Sequence, residues 1–149
     1  MKKIRTGDIF YFQLKQKPDL YWFGRVVNNN AKIMNYSGIT MVYIYSQPSR
    51  SADKLPELKP DKLLIPPQFI NRIGWSKGYF VTILNKPIES NDLLPVNCFF
   101  NSITKKNFDD NGKEVNDPKP PFGFQSIGNY RTIEDDVCEA LGIPLSDEP

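Results

Sequence analysis

The chain of 149 residues contains no histidine, and this absence removes the most common general base and the most common metal ligand of proteins. Histidine-based catalytic triads and histidine-containing zinc sites are therefore excluded. The sequence also lacks a Walker-type or dinucleotide-binding glycine motif. Its adjacent acidic pairs, Asp109 with Asp110 and Asp135 with Asp136, stand beside no plausible nucleophile. We expect a protein with no catalytic site, no cofactor and no metal ion.

Cysteine is scarce and long hydrophobic runs are missing. Cys98 and Cys138 form no CxxC motif, which predicts two buried free thiols in a reducing compartment. No stretch approaches the roughly 20 apolar residues of a membrane span. The N-terminal residues have a basic start but lack the apolar core of a secretory signal. We therefore expect a cytoplasmic protein that does not enter a membrane.

Net charge is low, at +2, but it is unevenly distributed along the chain. Residues 1–80 carry 13 basic and 5 acidic side chains, whereas residues 81–149 carry 6 basic and 12 acidic ones. Such asymmetry can mark a nucleic-acid or protein partner if the two halves stay apart in space. If the two halves of the chain interleave in the folded protein, basic and acidic side chains lie side by side, and the asymmetry does not indicate a partner. The sequence leaves both possibilities open.

The composition favours strands and turns. The length suits a single domain over residues 1–149, and 13 prolines with 13% aromatic residues argue against long helices. Strand patterns cover residues 9–14, 21–27, 41–45 and 78–84, and the last is apolar on both sides, which predicts a position near the middle of a sheet. Gly24 predicts a bulge or a close backbone approach. We predict a mainly β, α+β fold: a curled antiparallel sheet or SH3-like partly open barrel with a C-terminal α-helix.

That helix is expected within residues 128–145. Thr132 is a candidate N-cap, with acidic residues 134–136 in the first turn, and Gly142 followed by Pro144 ends the helix. Apolar residues recur there at helical spacing, so one face should pack on the body of the protein. Residues 46–60 are polar and interrupted by proline, which predicts a surface loop whose role the sequence leaves open.

Two stretches combine aromatic and basic residues. Trp22 and Arg25 belong to the second strand pattern, and Arg72 and Lys77 flank Trp75. Ring faces beside cations bind single-stranded nucleic acid, but tryptophan, tyrosine and arginine are also the usual anchors of protein interfaces. The low net charge and the lack of an RNA-binding signature make nucleic acid the less favoured partner. A single-stranded nucleic-acid-binding module with an aromatic-basic groove is therefore the alternative function.

Four stretches of the chain form a distinctive set: GDIFYFQL with YWFGRVV, LLIPPQFINRIGWSKGYFVTI, DLL before CFF, and GNYRTIEDDVCEALGIP. Together they resemble the Immunity protein 26 family of bacterial polymorphic toxin systems. The members are small β-rich proteins thought to bind and neutralise a cognate toxin. The resemblance implies a non-enzymatic inhibitor whose partner is a toxin encoded nearby, and it brings no catalytic residues.

An inhibitor of this kind could use either of two surfaces of this chain. The acidic face of the last helix, with Glu134, Asp135 and Glu139, would complement a basic nuclease toxin, because complementary charge raises the association rate and rejects wrong partners. The aromatic-basic set, with Trp22, Arg25, Arg72 and Lys77, would suit an acidic or carbohydrate-directed toxin.

Overall fold

A computed structural model describes residues 3–146, and within this range the chain is built mainly of strands. The strands are β1 (Asp8–Leu14), β2 (Lys17–Ile33), β3 (Tyr36–Tyr45), β4 (Leu63–Ile70), β5 (Val81–Asn85), β6 (Cys98–Asn101), β7 (Lys106–Phe108), β8 (Phe122–Phe124) and β9 (Ile127–Gly128). The helices are the single-turn α1 (Ile73–Ser76), a 3₁₀ turn at Ser90–Asp92 and α2 (Tyr130–Leu141). None of the described helices is both long and apolar enough to span a bilayer.

Six of the strands form one sheet in the order β5-β1-β2-β3-β4-β9, and its pairs are antiparallel except for the short β4–β9 pair. The other three form a second sheet, β7-β6-β8, in which β6 and β8 are parallel. The predicted α+β, mainly β fold with an antiparallel sheet and a C-terminal helix is confirmed. Over the described residues the large sheet stays open and does not close into a barrel.

A hydrophobic core lies on each face of the large sheet. On one face, Phe10 and Val42 pack with Val137 of α2. On the other, Met41 packs in a second cluster with Phe99 of the small sheet. Because successive strand residues point to opposite faces, the central strands are apolar on both sides. Each fully buried side chain of this kind contributes about 1.5–3 kcal/mol relative to an exposed one.

Close backbone contacts explain two glycines in this core. A Cβ added at Gly24 would lie 2.4 Å from the ring of Phe10, so the close approach predicted there is confirmed. At Gly74 a Cβ would lie 2.5 Å from the ring of Phe80. Both sites admit only glycine without movement of a buried ring.

The strand predicted near the middle of the sheet is instead at its edge, so this prediction is wrong. Strand β5 pairs with β1 alone among the described strands. Tyr79 and Phe80 precede it in a turn closed by hydrogen bonds to the carbonyl of Gly74. This turn buries Phe80 beside Trp75, with ring centroids 4.9 Å apart, whereas Ile83 is only half-buried. The apolar run therefore combines a core turn with an edge strand.

The N-cap of helix α2 lies three residues before the predicted cap, Thr132. Asn129 is the N-cap, and its Oδ1 accepts hydrogen bonds from the backbone N–H groups of Arg131 and Thr132, at 2.8 and 3.3 Å. The Thr132 hydroxyl accepts in return from the backbone N–H of Asn129, which completes a capping box. Residues 134–136 consequently lie beyond the first turn. Gly142 ends the helix with φ +68°, as predicted.

A chain of polar contacts, which we call the polar brace, connects the central strands to the segments that flank the small sheet. The Tyr43 hydroxyl donates to Asn97 Oδ1, and Asn97 Nδ2 donates to Asp110 Oδ1 at 3.1 Å. Asn28 Nδ2 donates to the other oxygen of Asp110 at 2.7 Å. Burial raises the pKa of Tyr43 to about 12, so its phenol remains a donor. Asp110 therefore serves the fold.

Several smaller predictions are also confirmed. Cys98 and Cys138 are buried free thiols. Residues 46–60 form no helix or strand and contact the sheet through a bridge between Ser49 and Tyr21. Asp109, from the first acidic pair, has a structural role: its Oδ1 accepts hydrogen bonds from the backbone N–H groups of Asn111 and Lys113, which is the behaviour of a turn residue.

Candidate partner-binding surfaces

Two members of the aromatic-basic set lie inside the protein. Trp22 and Arg25 are each only 4% exposed, because strand β2 is covered on both faces. Arg25 Nη2 donates to the carbonyls of Lys86 and Pro87, at 2.7 and 3.3 Å, and Nη1 lies 3.2 Å from Asp92 Oδ1. Arg25 therefore attaches β2 to the segment that follows β5. The expectation that these two side chains are displayed in a surface groove is wrong.

The other two members of the aromatic-basic set are exposed, as expected. Arg72 precedes α1 and Lys77 follows it, so they flank the same helical turn. Trp75 lies between them and is buried. The surface they leave is basic but displays no exposed ring from this set.

Glu134 is separated from the other acids of α2 because its side chain turns towards the core. It is 7% exposed and lies beside Tyr79 and Cys138. Burial raises the pKa of the Tyr79 phenol, and the neighbouring Glu134 carboxylate raises it further. Burial and Glu134 likewise raise the pKa of the Cys138 thiol. Glu134 is therefore not part of the exposed acidic face.

Two of the remaining acids of α2, Asp136 and Glu139, border a groove that we call the acidic groove. Its volume is about 330 Å³, and it lies between α2, β4 and β8. The residues that shape it are Leu64 and Pro66 of β4, Phe122 and Phe124 of β8, and Asp136, Glu139 and Ala140 of α2. Asp135 is half-buried next to Asp136 on the same helix.

Electrostatics and exposure distinguish this groove from ordinary surface. Burial raises the pKa of Asp136, and the carboxylates of Glu139 and Asp135 raise it further, so the three negative charges oppose one another. At the same site Phe124 is 68% exposed and Phe122 is 43% exposed. Two large aromatic side chains therefore face solvent beside the carboxylates of Asp136 and Glu139, and Asp135 adds to the negative potential.

The exposed aromatic residues of the groove, Phe122 and Phe124, were not predicted from the sequence. Residues 120–124, PPFGF, contain two prolines and give no strand signal. The available signal is the spacing of two phenylalanines around one glycine, since alternate strand residues share a face. A Cβ on Gly123 would lie 2.4 Å from the carbonyl oxygen of Pro67, so β8 approaches β4 closely there and both rings turn outward.

A second depression, which we call the basic cleft, lies along β5. Its volume is about 620 Å³. Lys3 and Arg5 border it, and Ile4, Trp75 and Phe80 contribute buried apolar surface. Asp8 also lines the cleft, but its buried carboxylate accepts hydrogen bonds from the Arg5 backbone and from Asn85, and it lies 3.9 Å from Nε of the largely exposed Arg5 side chain. The exposed charges at its border are positive.

No cluster of three histidine, cysteine or carboxylate side chains suited to a metal ion occurs among residues 3–146. The acidic groove contains carboxylates but no nucleophile next to a base. Both surfaces have the chemistry of recognition: apolar area with charge of one sign at the border.

Comparison with known families gives one result. The model of the family described as Immunity protein 26 matches residues 5–109. No curated protein and no solved structure matches the chain significantly. The matched range contains β1 to β7 and most of the basic cleft, whereas β8 and α2 lie beyond it. The family resemblance seen in the sequence is thus confirmed, although its C-terminal block lies outside the matched range.

Proposed function

Because the chain belongs to the Immunity protein 26 family, we propose that it is an immunity protein that binds a cognate toxin and neutralises it by covering the toxin's active site or substrate groove. The mechanism is binding without turnover. It acts as one domain, in the cytoplasm, on a toxin encoded beside it. The support is the family membership together with surfaces suited to recognition.

We further propose that the acidic groove is the toxin-binding surface. The observation that carries this proposal is the exposure of Phe122 and Phe124 next to the carboxylates of Asp136 and Glu139. Stable interfaces have aromatic anchors that become buried at their centre and polar groups at their rim. Exposed apolar area bordered by polar residues is typical of such sites on free proteins.

The charge of the groove indicates the chemistry of the toxin. Three carboxylates with a shared negative potential attract a positively charged surface and accelerate its association. An enzyme that acts on nucleic acid has such a surface, because it must neutralise phosphates. A basic nuclease-like toxin is therefore the partner that fits, and the groove would occupy the surface that otherwise binds its substrate.

The position of the groove in the chain is consistent with a role in specificity. Its β8 and α2 walls follow residue 109, where the family match ends. An immunity protein must distinguish its own toxin from others, which requires side chains that differ between partners. The part of the chain beyond the matched range is where such individual features are expected.

The nucleic-acid alternative has no specific observation in its favour. It requires aromatic ring faces beside cations, but Trp22 and Arg25 are buried and Trp75 is 9% exposed. We expect no mobility shift of single-stranded DNA or RNA at physiological salt. A shift that weakens steeply with added salt would favour the alternative instead.

Growth rescue tests the proposed function. The chain is co-expressed with the product of the adjacent toxin gene, and the purified proteins are mixed to measure stoichiometry by light scattering. We expect restored growth and a stable 1:1 complex whose toxin is inactive. A matched control uses an unrelated toxin of the same activity, which the chain should not inhibit. Cells that die equally fast with and without the chain would contradict the proposal.

A further inference from the structure

The outer edge of β5 lies open above the basic cleft. Strand β5 is the terminal strand of the large sheet, and over residues 3–146 no strand pairs with its second side. Natural sheets usually protect such an edge with a charged residue or a proline within the strand. The sequence of β5, VTILN, contains neither. Val81 and Leu84 are partly exposed along it, each 37% accessible.

The edge retains one protective feature. The register between β5 and β1 shifts between Ile9 and Phe10, where Leu84 and Thr82 are the partners and Ile83 is the extra residue. A bulge of this kind increases the local twist and shortens the segment that another strand can pair with. It is also common beside binding sites. An added strand at β5 would therefore be short, and its affinity would depend on side-chain contacts as well as on the backbone.

The cleft beside this edge offers those contacts. Ile4, Trp75 and Phe80 provide apolar surface next to the strand. The indole Nε1 of Trp75 is a buried donor that finds no acceptor among the described residues. The indole Nε1 of Trp22 is also buried and unpaired, so the unpaired donor of Trp75 does not by itself mark a ligand site. A peptide carbonyl that reached the Trp75 donor would stabilise a complex at this cleft.

The charge at the border selects among possible occupants. Lys3 and Arg5 border the cleft, and Lys77 and Lys86 are exposed next to its lining residues Gly78 and Asn85. A second copy of the chain would place these cations against the same cations of its partner, which opposes edge-to-edge dimerisation. An acidic segment would instead be attracted.

We propose that β5 and the basic cleft bind an extended acidic segment of another protein by strand addition. The backbone of that segment pairs with the outer edge of β5, its apolar side chains contact the cleft, and its carboxylates face Lys3 and Arg5. This site is distinct from the acidic groove and prefers the opposite charge. It does not depend on the toxin-binding role proposed above, so either proposal can fail without the other.

A peptide titration followed by NMR tests this site. The ¹⁵N-labelled full chain is titrated with the capped peptide Thr-Glu-Val-Glu-Val-Glu-Thr. We expect shifts of the amides of residues 81–85 and of the Trp75 indole, while the indole of Trp22, also buried and unpartnered, serves as an internal control. A peptide with lysine in place of glutamate should bind at least about tenfold more weakly. The glutamate peptide with alternate N-methylated residues keeps the charge but blocks backbone pairing, and it should not bind.

Substitutions in the chain distinguish binding at the β5 edge from a general effect of the protein's net charge. Leu84→Glu should weaken binding of the glutamate peptide at least about tenfold by repulsion at the edge. Ile103→Glu makes the same chemical change at a 90% exposed position away from the cleft and should have no effect. The double variant Lys3→Glu with Arg5→Glu should reduce binding as strongly as Leu84→Glu.

Four outcomes would overturn the proposal. They are no binding at about 1 mM peptide, the weakest affinity worth assigning to a specific site; equal binding of the acidic and basic peptides; shifts confined to β8 and α2; and self-association of the chain that itself protects the amides of β5.

Discussion

The two edges of the large sheet differ in what covers them and in the charge beside them. Near β9, strand β4 is joined by β8 and α2, which form a groove with exposed aromatic rings and two carboxylates, next to a third on α2. At the other end β5 has no cover among residues 3–146, and it borders a cleft with positive charges. The net charge of +2 therefore conceals two surfaces of opposite sign. At these surfaces the charge asymmetry between the two halves of the sequence survives folding.

The comparison also separates charges that serve recognition from charges that serve the fold. Arg25, Glu134 and Asp110 were as visible in the sequence as their exposed neighbours, yet each is held inside the protein or in the polar brace. A charged residue contributes to a docking surface only if its side chain is exposed in the free protein and becomes buried when the partner binds.

The largest effect is expected for the buried arginine. Arg25→Met removes hydrogen bonds to two carbonyls and leaves Asp92 without its ion-pair partner. We expect a loss of about 3 kcal/mol in the free energy of unfolding, and a Tm roughly 10 °C lower in a thermal melt. The exposed Arg72→Met should change stability by less than about 0.5 kcal/mol. If Arg25→Met kept its Tm and lost toxin binding, Arg25 would belong to the contact surface after all.

Charge reversal at the acidic groove should alter association kinetics. Asp135→Lys with Glu139→Lys replaces attraction by repulsion, so the association rate with a basic toxin should fall about 10- to 100-fold, measured by stopped flow at low salt. Asp19→Lys with Asp117→Lys produces the same change in net charge at exposed positions outside the groove and serves as the control. An equal decrease in both double variants would mean that only the total charge matters.

Removal of an aromatic anchor should weaken the complex with little effect on the free protein. Phe124→Ala should raise the Kd for the toxin about tenfold, because a buried anchor contributes more than 1 kcal/mol. Its ring is 68% exposed in the free chain, so the Tm should barely change. The corresponding control is Ile103→Ala, at a position 90% exposed. An unchanged Kd for Phe124→Ala would remove β8 from the interface.

The smallest effect concerns the pH dependence of stability. The folded-state pKa of Asp136 is raised, so ionisation of this group opposes folding once the pH exceeds its unfolded-state pKa. Asp136→Asn should therefore stabilise the free chain by a few tenths of a kcal/mol at pH 7, given the partial exposure of the group. The gain should disappear below about pH 4, where the carboxyl is protonated in both states. A gain in Tm that persists at pH 3 would show that charge is not its cause.

Local signals in the sequence were sufficient to predict much of the fold. Strand periodicity, the polar loop over residues 46–60 and the Gly142 stop depend on neighbouring residues, and the structure contains all three. The N-cap was harder, because Asn129 and Thr132 are both good caps and both take part in the capping box. That shift of three residues moved the acids of α2 out of the first turn.

The other wrong or absent predictions concern features that depend on packing between residues far apart in the sequence. Whether β5 is central or terminal depends on which strands pair, and no local pattern contains that information. Glu134 is buried because the helix turns Val137 and Cys138 inward and carries Glu134 with them. The strand that carries Phe122 and Phe124 was not predicted because β8 follows two prolines and pairs with β6, which is distant in the sequence.

Hydrogen-deuterium exchange of the toxin complex locates the surface that the toxin covers. Amide exchange is compared between the free chain and the chain bound to its toxin, peptide by peptide. We expect new protection in residues 122–124 and 136–140, the β8 and α2 walls of the acidic groove. Protection confined to β5 and residues 3–5, with the groove exchanging as in the free protein, would contradict this expectation.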